Sequence, residues 1–306
     1  MSKAELRYDG RVAVITGAGR GLGRSYALLL AQRGAKVVVN DVGGDLQGGG
    51  ADAGPAQQVV KEIEALGAEA VASTASVATP EGGRAIVETA LERFGRIDIL
   101  IHNAGNVRRG SLKELSQADF DAVLDVHLRG AFHVVRPAFP YMCKAGYGRV
   151  VLTSSIGGLY GNHLVANYST AKAGIIGLGN VVALEGAAEG VKCNMIVPAA
   201  VTRMAEGLDT SKYPPMDPEL VAPVVGYLAH ESCEISGEML IALAGRVARA
   251  YVAETRGVYK PSWSVEDVSA ELAAIRAVDD PWVFPVVPSG HVDHLRSSFA
   301  LAKQGL

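Results

Sequence analysis

The chain has 306 residues, 49% of them apolar and 20% charged, which predicts a globular fold around one large core and argues against disorder. Its 29 basic and 32 acidic side chains leave a formal net charge of -3, so the charge balance gives no reason to expect nucleic acid or an anionic membrane as partner. The 3 cysteines, Cys143, Cys193 and Cys233, lie outside any metal-ligand spacing, no apolar run reaches membrane-spanning length, and Met1 to Arg11 is polar; together these predict free thiols, no metal and a cytoplasmic chain.

In chain order, the first predicted strand, Val12 to Thr16, runs into Gly17-Ala-Gly19-Arg-Gly21-Leu-Gly23 and a helix over Leu22 to Arg33. Glycines there allow a tight turn and close approach of the backbone to a pyrophosphate, whose charge the helix N-terminus favours. The spacing is TGxxxGxG, and Gly17, Arg20, Gly21, Leu22 and Gly23 are read as cofactor-binding. The second strand, Lys36 to Asn40, ends at Asp41, a carboxylate placed to accept hydrogen bonds from adenosine ribose hydroxyls and to repel a 2'-phosphate; it predicts NAD as cofactor. A glycine-rich stretch from Gly43 to Gly54 reads as a long loop before a helix over Ala53 to Leu66. Further strands are predicted over Ala70 to Ser73, Asp98 to Ile101, Arg149 to Thr153, Lys192 to Val197 and Glu238 to Leu243, with helices over Glu81 to Phe94, Gln117 to Cys143, Ala166 to Ala187 and Pro218 to Ala229. The strands are near-continuous apolar runs, as expected when helices cover both faces of a sheet. Repeated strand-helix alternation predicts a doubly wound, Rossmann-type α/β fold with a seven-stranded parallel sheet, occupying residues 1–245. Residues 246–306 read as a C-terminal extension with a helix over Val265 to Ala277, after which Pro281, Pro285 and Pro288 break any regular element.

Tyr168 and Lys172 are one helical turn apart and share a face. A free phenol, with a pKa of about 10, is a poor base at neutral pH. A neighbouring ammonium, together with a cationic nicotinamide ring, is expected to lower that pKa, so Tyr168 could take a hydroxyl proton as hydride leaves. Ser155, just past the strand Arg149 to Thr153, is placed to orient the substrate oxygen. Each residue alone could be surface or loop filler; the spacing behind a cofactor loop makes the set specific.

From Arg11 to about Leu243 these motifs resemble the short-chain dehydrogenase/reductase family. The resemblance implies cofactor contacts from Asn103, Ala104 and Gly105 in His102-Asn-Ala-Gly105, which matches the family's NNAG with His102 in place of its first Asn. It implies others from Ser76 and Val77, from Tyr168 and Lys172, and from Pro198 and Thr202 in a segment similar to PGxxxT. His127 stands where the family has the Asn that holds a proton-relay water; imidazole can do the same, or be a packed core residue. Val39 to Asp45, Ser76-Val77, Val126 to Gly130, Gly158 to Asn162 and His230 to Cys233 are similar, more closely, to the (3R)-hydroxyacyl-CoA dehydrogenase domains of type 2 peroxisomal multifunctional enzymes. That implies oxidation of a (3R)-3-hydroxyacyl-CoA, with a sterol-derived acyl group one option. The alternatives are a steroid or terpenoid alcohol dehydrogenase that uses no CoA, and a non-catalytic nucleotide-binding protein. It also implies a homodimer or homotetramer built on the helices Gln117 to Cys143 and Ala166 to Ala187. Arg108 and Arg109 are read either as phosphate ligands for CoA or as a solvated loop pair. Trp263, Trp282 and Phe284 are read as cover for an acyl pocket or a subunit interface.

Overall fold

A computed structural model describes residues 4–201 and 213–304. Seven strands pair in parallel: β1 (Val12–Thr16), β2 (Lys36–Asn40), β3 (Ala70–Ser73), β4 (Ile99–His102), β5 (Gly148–Thr153), β6 (Val191–Ala199) and β7 (Met239–Leu243). β1, β4 and β5 are buried along their whole length, which is why they read as apolar runs. An eighth strand, β8 (Arg246–Ala250), was not expected. Ala244 and Gly245, with φ of 48° and 78°, turn the chain straight back in a two-residue hairpin, so β8 runs antiparallel to β7. It is a half-exposed edge strand in which Arg246 and Arg249 interrupt the apolar pattern, so it carries no buried-strand signature.

The spatial order is β3-β2-β1-β4-β5-β6-β7-β8. Strand order reverses between β1 and β4, whose C-terminal ends are in register, with Thr16 opposite His102. The connections leaving them go to opposite sides and open a crevice above that edge.

The helices are α1 (Gly21–Gln32), α2 (Gly54–Ala65), α3 (Pro80–Phe94), α4 (Gln117–Leu124), α5 (Gly130–Lys144), α6 (Ile156–Tyr160), α7 (Ala166–Gly186) and α8 (Ala222–Ala229). α3 has clear sequence punctuation: Thr79 caps the Gly82 N–H, Pro80 opens the first turn, and Gly95 at φ 75° ends the last. The single helix expected over Gln117 to Cys143 is divided. Asp125–Arg129 is a π-helical segment, one wide turn between α4 and α5. Its apolar and charged residues fit the helical period on either side, so the inserted residue has no signature in the pattern. π turns recur at functional sites, and this one carries His127.

The chain divides into two compact units after Arg249. The second contains α9 (Val265–Ile275), started by a capping box in which Ser264 and Asp267 satisfy each other's backbone N–H, and α10 (Gly290–Gln304). α10 corrects the expectation that the prolines end regular structure: Pro281, Pro285 and Pro288 all precede it, and the helix begins at Gly290. Glu254 and Trp282 exchange backbone hydrogen bonds of 3.0 and 2.8 Å, and Trp282 stands edge-on to Phe284 with ring centroids 5.8 Å apart.

Candidate active site

At the crevice, Thr16 ties β1 to β4. Its buried hydroxyl oxygen accepts the N–H groups of Asn103 and Ala104, both at 3.1 Å. Its proton is therefore free for Nδ1 of His102 at 3.0 Å. Nδ1 then accepts, so Nε2 carries the proton and donates to the carbonyl of His127 at 3.0 Å. Burial, then the charge of Lys172, pushes His102 down to about 3, which keeps the ring neutral.

The glycine loop meets the same edge. Gly17 sits at φ +64°, and a Cβ there would lie 2.7 Å from Ala104 Cα; a Cβ on Gly23 would lie 2.1 Å from the Gly17 carbonyl oxygen. Only glycine permits this packing. No side chain caps α1, so its first N–H groups remain available to an anion. Asp41 is held by Gly19 N–H on Oδ2 (2.9 Å) and Gly43 N–H on Oδ1 (2.7 Å), with acceptor capacity left on both oxygens.

Ser155 begins α6, where its Oγ accepts the Gly157 N–H at 3.1 Å. Lys172 on α7 is 2% exposed, and its Nζ donates to the Thr153 carbonyl at 2.6 Å. Burial lowers its pKa to about 7. The Tyr168 phenol is governed by its immediate surroundings in the chain alone. In the chain itself burial pushes it up, and the Ser155 hydroxyl beside it opposes this. His127 stands edge-on to Tyr168 with ring centroids 5.2 Å apart. Its Nε2 lies 2.8 Å from the Asn106 carbonyl and 3.1 Å from the Asn106 N–H. One nitrogen cannot both donate and accept there, so Nε2 satisfies one of the two contacts in either tautomer. Nδ1 is a buried polar atom without a partner among the described residues, as are Asn106 Oδ1 and Thr153 Oγ1. Burial, then the charge of Lys172, holds the His127 ring neutral.

A cavity of about 410 Å³ has Asp41, Arg20 and Ser76 at its wall together with Asn103, His127, Tyr168 and Lys172; Ser155 is not on that wall but lies beside Tyr168. A family model of short chain dehydrogenases matches residues 11–212. The chain belongs to the short-chain dehydrogenase family. It is 52% identical over 263 residues to the peroxisomal multifunctional enzyme type 2 of Drosophila melanogaster, covering 85% of this chain and 44% of that protein. The solved structure of that full-length enzyme superposes with a TM-score of 0.79 at 39% identity, over 97% of this chain and 50% of that one. A short chain dehydrogenase from Mycobacterium avium superposes with a TM-score of 0.78 at 40% identity, over 87% of this chain and 94% of that one. A peroxisomal hydratase-dehydrogenase-epimerase of Saccharomyces cerevisiae is 46% identical over 78% of this chain and 27% of its own length. The chain thus spans half or less of these two multifunctional relatives, and it is an oxidoreductase.

In this short-chain dehydrogenase, Gly17, Arg20, Gly21, Leu22, Asp41, Ser76, Val77, Asn103, Ala104, Gly105, His127, Tyr168, Lys172 and Pro198 all line one cavity. Gly23 packs beneath the loop instead, and Gly105 does double duty: a Cβ there would lie 2.4 Å from the His127 ring. Thr202 lies outside the described residues. Arg108 is not a free cation, because Nε donates to the Gln47 carbonyl (3.0 Å) and Nη1 to Asp119 (2.9 Å). Arg109 is exposed. Sequence reasoning missed Asn106, Thr153 and the loop residues Gly44, Asp45, Leu46 and Gly48, all on the cavity wall. The run of glycines after β2 was the available signal, but not its docking partner. The unpartnered polar atoms, the glycine cradle and Asp41 fit a nicotinamide dinucleotide.

Proposed function

We propose that this enzyme oxidises a secondary alcohol with NAD, and that its substrate is a (3R)-3-hydroxyacyl-CoA, converted to the 3-oxoacyl-CoA. The observation that carries the reading is one cavity with Asp41 on its wall and the Tyr168-Lys172 pair on the same wall. Asp41 would take the ribose hydroxyls and disfavour a 2'-phosphate. The substrate class is supported by the multifunctional and hydratase-dehydrogenase-epimerase relatives and by the segments from Val39 to Asp45 and Gly158 to Asn162.

The bound dinucleotide supplies the hydride acceptor. Ser155 orients the substrate hydroxyl and Tyr168 takes its proton. Lys172, titrating near neutrality and fixed on Thr153, stands on the same helix face to pass that proton on. His127, with Nδ1 open, holds the relay water in place of the family's Asn. The test is turnover, read by dinucleotide absorbance, of (3R)- and (3S)-3-hydroxyacyl-CoA, the free acids, and a panel of steroid and terpenoid alcohols, with NAD+ and with NADP+. The expected result is oxidation of the (3R)-thioester with NAD+ favoured. Oxidation of free alcohols and of no acyl-CoA would overturn the substrate assignment.

A further inference from the structure

The segment between β2 and α2 is built as a closed loop rather than a slack linker. Its ends meet where Asp52 N–H donates to the Val42 carbonyl at 2.9 Å, with Gly43 at φ +71° and no room for a Cβ against Asp52. Its tip is folded around Asp45, whose carboxylate accepts the N–H groups of Gln47 (2.8 Å) and Gly49 (2.9 Å). This is an Ω-loop, with adjacent ends and an internally bonded tip.

The tip is docked across the cavity. Val107 N–H donates to the Leu46 carbonyl at 3.0 Å, and Arg108 Nε donates to the Gln47 carbonyl at 3.0 Å. Gly48 lies so close that a Cβ there would be 2.8 Å from Asn106 Nδ2. Gly44, Asp45, Leu46 and Gly48 line the cavity from one side and Asn106 from the other, so the docked tip bridges it. Arg108 is anchored in turn: Nη1 pairs with Asp119, and Asn167 Nδ2 donates to the carbonyls of Arg108 and Asp119, both at 3.0 Å. Asn167 immediately precedes Tyr168. A long molecule that reached both Asp41 and Lys172 would pass beneath a bridge held by two hydrogen bonds and a glycine contact. Few bonds and an exposed tip put this segment at the low-stability end of the fold.

We infer that residues 43–53 form a strap over the dinucleotide, that Arg108 is its latch, and that strap opening sets the rate of dinucleotide release. The inference rests on the cofactor reading above. Two variants test it. Arg108→Lys removes the Nε–H donor to Gln47 while keeping a cation for Asp119. Gly48→Ala inserts a methyl group into the Asn106 contact. The readouts are dissociation of bound NADH by stopped-flow fluorescence and amide hydrogen exchange of residues 43–53 and Val107. Exchange should quicken in both variants, and NADH should leave about fivefold faster from Arg108→Lys, the change expected for one net hydrogen bond. Quicker exchange with an unchanged release rate in both variants would overturn the inference. So would a Val107 amide that is unprotected in the wild-type protein. A wild-type protein that binds neither NADH nor NADPH would instead remove the cofactor reading beneath it.

Discussion

Lys172 gives a sharp thermodynamic test, because folding buries it almost completely and gives it, among the described residues, one side-chain hydrogen bond, to the Thr153 carbonyl. An unfolded lysine holds its proton to about 10.4, whereas here burial brings the group to about 7. The sign follows from proton counts. Below about 7 both states are charged and the folded state bears the whole penalty. Between about 7 and 10.5 the unfolded chain binds more protons, so stability rises with pH; above that range the penalty is gone. At 1.36 kcal/mol per pKa unit the penalty is of order 5 kcal/mol, an upper bound that the Thr153 bond partly offsets. Lys172→Met keeps the buried stem without the charge. It should be inactive yet more stable than the parent at pH 7, by roughly 2–4 kcal/mol after allowing for the lost hydrogen bond. Urea unfolding without dinucleotide, from pH 7 to 10, should find the gap between the two proteins closing by about 1.4 kcal/mol per pH unit, as other titrations cancel. A gap that did not change with pH would refute the claim that folding desolvates this ammonium.

Tyr168→Phe removes the proton acceptor and little volume, so dinucleotide binding by fluorescence should persist while kcat falls by about 10²- to 10⁴-fold. Asp41→Ala should reduce the NAD+ over NADP+ preference in kcat/KM by roughly tenfold, the effect of removing one charge near a phosphate; an unchanged ratio would move the ribose site elsewhere. Asp98, buried at the start of β4, accepts the Val12 N–H at 2.9 Å and pairs with Arg11 and Arg96. Asp98→Ala should therefore cost about 1–3 kcal/mol in denaturant unfolding, since it strands the buried Val12 N–H and removes the partner of Arg96, while Arg11 keeps Glu231. Static light scattering should return two or four times the 31.9 kDa chain mass.

The parallel strands were legible because a strand covered on both faces must be largely apolar, as Val12 to Ile15 and Ile99 to Ile101 are. β8 was not, since Arg246 and Arg249 serve an edge that water reaches and leave no apolar run. The glycine loop and Asp41 could be read because the close approach of Gly17 to Ala104 and the end of β2 are local necessities with few alternative residues. The π turn could not, because inserting one residue into a helix changes the hydrogen-bond register without changing the residue types. Arg108 reads as a free cation on a loop until the fold brings the Gln47 carbonyl and Asp119 to it. At Tyr168 the spacing reports a neighbouring lysine, but not that the lysine donates to Thr153 or that burial raises the phenol in the chain alone.

The two histidines that replace family asparagines make sense together. His102 stands at the end of β4 and His127 in the π turn, and in sequence they look like independent departures. In the fold they are bonded, His102 Nε2 to the His127 carbonyl, with Thr16 fixing the tautomer that makes this possible. The bond holds the wide turn against the end of the sheet. That leaves the His127 side chain to reach Asn106 through Nε2 and to keep Nδ1 open beside Tyr168. The histidine carbonyl is thus engaged by a donor from the sheet, and the hydrogen-bonding capacity that remains lies on the ring. Gly105 completes the arrangement, since any side chain there would meet the His127 ring. Burial and the charge of Lys172 both hold the rings neutral, so neither adds a second positive charge beside the lysine. The net result is a neutral imidazole with one unpartnered nitrogen where the family carries an amide, supported by a second imidazole whose own ring nitrogens are both bonded.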